Sequence, residues 1–148
     1  MIYDKKGTGN MKTTVRETAE KLEECMEGWE QFFNKETGEF VALSNGMYVE
    51  SDEALAEEIE NSCSYVRLPN QYDIHEWRIM EGFALAMTSE KKQDRLLHAL
   101  HGKKAYRRFK DEIINMGEHQ AYYDYRFQAF CRIAREWLEE NQIPYTAE

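Results

Sequence analysis

Five basic side chains, Lys103, Lys104, Arg107, Arg108 and Lys110, crowd into one short stretch and interleave with Tyr106 and Phe109. Guanidinium and ammonium groups beside aromatic rings are the side chains that hold phosphates and bases. Arginine forks supply charge-assisted hydrogen bonds, and a tyrosine ring offers a flat face on which a base can stack. Arg126, with Tyr122 and Tyr125, follows closely enough to extend such a surface. The candidate binding set is therefore Lys103, Lys104, Arg107, Arg108, Lys110 and Arg126. An opposing reading comes from Asp111, Glu112 and Asp124 and from the acidic stretch Glu57, Glu58 and Glu60, which would neutralise the block inside the fold.

Other chemistry finds less support. His98 and His101 are spaced to share a helix face, but neither HExxH nor a CxxC pair accompanies them, so they read as a helix-end or surface pair rather than zinc ligands. His75 and His119 fall near expected helix starts. Activated nucleophiles need a presenting turn such as GxSxG, and phosphate-cradling loops need GxGxxG or GxxxxGK[ST]; all are absent. Cys25, Cys63 and Cys131 are odd in number and lack ligand spacing, and read as small apolar side chains in a reducing cytoplasm. No catalytic residue, metal site or cofactor is expected.

Charge confines any phosphate-binding surface to the second half. The chain carries −9 overall, yet residues 1–75 hold 7 Lys/Arg against 16 Asp/Glu while residues 76–148 hold 12 of each. The first half would repel phosphate. No apolar run approaches the length of a membrane span. Residues 1–10 lack the apolar centre of a secretory leader, and Met11 resembles an alternative start. Residues 1–12 are expected to form a disordered extension and residues 13–144 a single globular domain, a length that buries a core without disulfides.

The elements that must position these residues follow from periodicity. Thr14 with Glu17 reads as a capping box opening a helix that carries Val15, Ala19, Leu22 and Met26 on one face and ends at Gly28. Trp29–Phe33 and Glu39–Leu43, around Asn34-Lys35-Glu36-Thr37-Gly38, predict a β-hairpin, with Tyr65–Leu68 as a candidate third strand. Asn45-Gly46 signals a second turn. Ser51 is expected to cap an acidic helix to about Asn61 with Leu55 and Ile59 inward.

Beyond Asp73 the pattern is helical. Asp73 and Glu76 read as a cap pair ahead of the stripe Ile74, Trp77, Met80, Ala84 and Met87, with Phe83 beside it. Thr88 or Ser89 opens a helix with Leu96, Leu97 and Leu100 inward, and Gly102 supplies the left-handed residue past its end. A helix from about Lys103 to Asn115 places Ala105, Tyr106, Phe109, Ile113 and Met116 in one arc. Arg108 stands at the arc's boundary, positioned to meet a carboxylate. The last helix, about Glu118 to Asn141, carries Tyr123, Phe127, Phe130, Ala134, Trp137 and Leu138 on one face, with Arg126 at its edge. The fold class is α+β and predominantly helical: about five helices with a small antiparallel hairpin sheet near the N-terminus.

The block Gly102–Asp111, with Trp77–Phe83 before it and Arg126, Ala134, Trp137 and Leu138 after it, resembles uncharacterised protein family 0158. The hairpin signal Asn34–Glu39 is similar to that family's N-terminal part. The resemblance spans about Glu17 to Ile143 and implies a cytosolic, bacterial-type protein, with no catalytic residues to carry over. The expected function is a non-enzymatic interaction or regulatory protein that binds a protein partner, or another copy of itself, through the helical C-terminal half. The alternative is a nucleic-acid or nucleotide binder using the Lys103–Lys110 helix.

Overall fold

The computed structural model describes residues 13–25, 28–44 and 50–147, with only the backbone of residues 50–52. The expectations for residues 1–12, Met26, Asn45-Gly46 and the Ser51 cap fall outside what it describes. The chain divides into two compact units, one formed by Met1–Ile74 with Phe130–Glu148 and the other by His75–Ala129. The second unit is thus inserted in the sequence of the first.

The first unit opens with β1 (Thr13–Thr14) and α1 (Val15–Glu24). The Thr14 hydroxyl accepts the Glu17 amide at 2.9 Å, as a helix cap does. The reciprocal half of the expected box differs: the Glu17 carboxylate takes the Thr13 hydroxyl at 3.0 Å. Val15, Thr18, Ala19 and Leu22 form the buried face. The helix stops at Cys25, before the expected Gly28: Cys25 leaves it with extended backbone (φ −65, ψ 123), and Gly28 holds φ +85 in the turn that starts the hairpin.

β2 (Trp29–Asn34) and β3 (Phe40–Ser44) pair antiparallel with Phe33 opposite Phe40 and Gln31 opposite Ala42. The Asn34 side-chain oxygen accepts the amides of Glu36 and Thr37, and Gly38 at φ +78 completes the reversal. After α2 (Glu50–Asn61), β4 (Tyr65–Arg67) adds to the free edge of β2, so the sheet is three-stranded in the order β3-β2-β4. The hairpin gains the third strand that an isolated ribbon in water lacks.

A single turn, α3 (Gln71–Ile74), follows. Its box lies earlier than the expected Asp73/Glu76 pair. The Asn70 side chain accepts the Tyr72 and Asp73 amides while Asp73 accepts the Asn70 amide at 3.0 Å. Glu76 is thereby released for another partner.

The second unit holds α4 (Glu76–Leu85), α5 (Glu90–Ala99), α6 (Ala105–Asn115) and the first half of α7 (His119–Glu140). Ser89 caps α5 by accepting the Lys92 amide at 3.2 Å. Met80, Phe83, Ala84, Leu96, Leu100, Phe109, Ile113 and Tyr122 form the core, with Trp77, Met87, Leu97 and Met116 against it. The Trp77 indole N–H donates to the Leu100 carbonyl at 3.0 Å, meeting an acceptor at the end of α5. The described residues therefore hold six helices of ten residues or more and one single turn, where about five were expected.

The second half of α7 returns to the first unit. Trp137 meets Phe33 edge-on at 6.3 Å, and its indole donates to the Arg67 carbonyl at 3.0 Å. α7 then stops in a Schellman motif: the Ile143 amide reaches back to the Leu138 carbonyl at 2.9 Å and the Gln142 amide to Glu139 at 3.2 Å. The buried side chains of Leu138 and Ile143 occupy the positions that make the accompanying apolar contact. Gln142 pays a steric cost there, since it holds φ +56. Replacing exposed Gln142 by Gly should raise stability by about 1 kcal/mol in urea denaturation. Beyond Pro144, β5 (Tyr145–Thr146) pairs in parallel with β1.

Candidate binding face on α6

α5 must stop and α6 must start within a few residues, and the backbone does this with two left-handed positions. Gly102 takes φ +86 at little cost, while Lys104, just before α6, takes φ +58 with no side-chain cap. The turn is held from the far side by Arg108. Its guanidinium donates to the Ala99 carbonyl at 2.9 Å and to the Lys103 carbonyl. These oxygens lie at and beyond the C-terminal end of α5, where carbonyls lack helical partners and the helix dipole is negative. Arg108 therefore meets main chain rather than the expected carboxylate, and it serves as the clasp of the turn.

Arg126 is likewise committed to the fold. Its Nε donates to Glu76 at 2.7 Å and a terminal nitrogen at 3.3 Å, a two-point fork at the start of α4. The Tyr122 hydroxyl donates to the same carboxylate at 3.2 Å. Burial first, and the Glu76 charge second, push that hydroxyl well above the usual tyrosine range, so it stays protonated and donating.

The aromatic residues divide differently from the sequence expectation. Tyr122 is fully buried against Phe83 and Phe109, whereas Tyr123, expected inward, is 44% exposed. The cause is that α7 serves two cores. Its second half faces Phe33 and its first half faces Phe83, so a single face extrapolated backward from Phe130 falls one residue out of phase. Tyr125 packs on Phe83 at 5.5 Å, and its hydroxyl lies where a Cβ at Gly82 would stand, 2.6 Å away. Gly82 thus admits the ring. Tyr106, also expected in the core, is 47% exposed. It sits on the first turn of α6, where Phe109 and Ile113 already fill the inward positions.

What remains outward is coherent. Lys103, Lys104 and Arg107 are exposed and Lys110 is half-buried, and among the described residues none of them meets a carboxylate. Tyr106, Lys110 and Ile114 recur at i, i+4 and i+8, with Arg107 alongside. Ile114 is 57% exposed. Three of the carboxylates that were expected to neutralise this block bond elsewhere. Glu112 pairs with Arg95 at 2.5 Å, Asp124 accepts Gln120 at 3.0 Å, and Glu58 accepts Tyr65 at 2.6 Å.

A groove went unrecognised in the sequence. A cavity of about 260 Å3 between α5 and α6 is lined by Arg95, His98, Ala99, Arg108, Asp111 and Glu112. Its signal was present as two strips at i, i+3, i+4: Arg95/His98/Ala99 and Arg108/Asp111/Glu112. With Arg95 bound to Glu112 and Arg108 to main chain, the groove reads first as an interhelical ion-pair seam, like Lys92 to Glu118 at 2.6 Å. His101 is exposed. No group of three or more His, Cys, Asp or Glu among the described residues is placed to hold a metal. No described helix is long and apolar enough to cross a membrane.

The geometry defines a class: a mixed α+β protein whose inserted helical unit presents one basic, partly aromatic helix face. The chain belongs to the Uncharacterised protein family (UPF0158), whose model matches residues 10–148. No curated protein matches it, and no solved structure does.

Proposed function

We propose that this protein is a non-enzymatic binding module that docks a protein partner with an acidic surface onto the α6 face. The observation that carries this reading is the set Lys103, Lys104, Arg107 and Lys110, unpaired among the described residues and flanked by exposed Tyr106 and Ile114. Arginine and aromatic residues are enriched at protein contact surfaces, and the surrounding lysines would steer an acidic partner toward them. Residues 75–129 carry 10 Lys/Arg against 8 Asp/Glu, so this unit is net +2 within a chain of −9. The working compartment is the cytoplasm, in keeping with three cysteines that form no disulfide.

The test compares cross-linked complexes of the wild-type chain and the double variant Arg107→Glu, Lys110→Glu in host extract. A protein adduct that is lost in the variant and weakens with salt supports the reading; identical adducts from both proteins would refute it. Exposed Tyr106 beside Arg107 supports a second reading, single-stranded nucleic acid. In that case nuclease treatment abolishes capture, and each phosphate-contacting Lys or Arg removed lowers the salt slope by about one unit.

A further inference from the structure

Two helices of this chain carry charge that opposes their own dipoles. α6 has Lys103 and Lys104 just before it and Arg107 in its first turn, and that turn holds no acid. Cations there meet the positive pole of the helix. α2 has the opposite fault. Its last turn holds Glu58 and Glu60 and no base, at the negative pole. The whole of Glu50–Asn61 contains neither Lys nor Arg, and Glu53, Glu57 and Glu60 set like charges at i, i+4 and i, i+3. Each arrangement destabilises its own helix, and each supplies what the other lacks.

The faces also match in shape. At 100° per residue Glu53, Glu57 and Glu60 fall within about 60° of one another, on the side away from Leu55 and Ile59. In the fold these three carboxylates are exposed, while Leu55 and Ile59 are half-buried and α2 rests on β3. Glu58 stands apart, taken by the Tyr65 hydroxyl at 2.6 Å. On α6, Lys104, Arg107 and Lys110 recur every three residues, and Asp111 beside them borders the separate groove with Arg95 and Arg108. Both triads cover about 10 Å of helix. Laid antiparallel, α2 brings its negative end to the positive end of α6, with Glu60, Glu57 and Glu53 meeting Lys104, Arg107 and Lys110 in turn.

The complementary helix lies on the same polypeptide, so every copy brings both faces. Among the described residues the side chains of neither triad have an ion-pair or hydrogen-bond partner within the copy. Outside residues 75–129 the chain holds 9 Lys/Arg and 20 Asp/Glu, a balance of −11 against +2 for the helical unit. Two copies of net −9 repel, but near 0.1 M salt charges more than about 10 Å apart are largely screened, so the contacting triads decide.

We propose that the α6 face docks α2 of a second copy of this chain. This rests on the reading of α6 as a docking face and names its occupant.

Sedimentation equilibrium of the purified, nuclease-treated full chain in about 0.1 M salt tests it. Reversible association of the wild type is expected. Lys104→Glu with Arg107→Glu, and separately Glu57→Lys with Glu60→Lys, should each weaken association about tenfold or more. Neither pair should lower the Tm of dilute protein, because each removes charge opposed to its own helix dipole. Mixing the two variants should restore association, since the acidic α6 of one meets the basic α2 of the other. Association that is lost on nuclease treatment, that ignores the α2 variant, or that fails to return on mixing would overturn the proposal. A wild type that stays monomeric yet forms the salt-sensitive adduct with another protein in host extract would overturn this inference alone and leave the α6 docking face standing.

Discussion

Phe109→Ala is expected to cost about 3–5 kcal/mol, measured by denaturant unfolding. The ring is fully buried, 5.2 Å from Tyr122 and 6.5 Å from Phe83 in edge-on arrangements. Truncation removes that burial, leaves a cavity among three helices and cancels two aromatic contacts at once. The unit it stabilises spans only His75–Ala129, so few other side chains can close the gap. Phe109 is also the central inward residue of α6. A loss below about 1 kcal/mol would mean that the helix buries another face, and with it the assignment of Lys103, Arg107 and Lys110 as outward would fall.

The second large effect is expected at the Arg126–Glu76 fork. The side chains are only 18% and 20% exposed, so this pair is mostly withdrawn from solvent. Arg126→Met should cost about 3 kcal/mol, since it leaves the Glu76 carboxylate buried with the Tyr122 hydroxyl as its remaining described donor. Adding Glu76→Gln to that variant should recover about 1–2 kcal/mol, because a neutral amide still accepts from Tyr122 but carries no stranded charge. Strictly additive losses in the double-mutant cycle would show that the fork contributes no coupling. Arg126 was read from sequence as part of a binding surface; this cycle measures its structural role directly.

Local chemistry was legible in the sequence, and long-range pairing was not. The Asn34–Gly38 reversal, the Ser89 cap, the left-handed Gly102 and the inward Phe109 all depend on side chains within a few residues of one another. Glu76 was misread as a cap because Asp73 precedes it at the right spacing; its true partner lies 50 residues ahead. Arg108 was read against carboxylates because a sequence displays side chains and hides the unmet carbonyls at a helix end. Tyr122 and Tyr123 exchanged roles because one continuous helix serves two cores, and periodicity assumes one. Of the six candidate binding residues, Lys103, Lys104, Arg107 and Lys110 remain together on the outward side. Arg108 and Arg126 belong to the scaffold that holds them.

The two-residue pairing of β1 with β5 joins Thr13 to Tyr145 across almost the whole described chain. A loop of that length closes only against a large entropic penalty, whereas the helices of residues 75–129 assemble from neighbours in sequence. Vectorial synthesis follows the same order: the inserted helical unit leaves the ribosome complete, while β1 must wait for the strand that seals it. The unit built from both ends of the chain therefore matures last: a chain stalled once Ala129 has left the ribosome would hold every residue of the helical unit while β1 still lacked its partner strand.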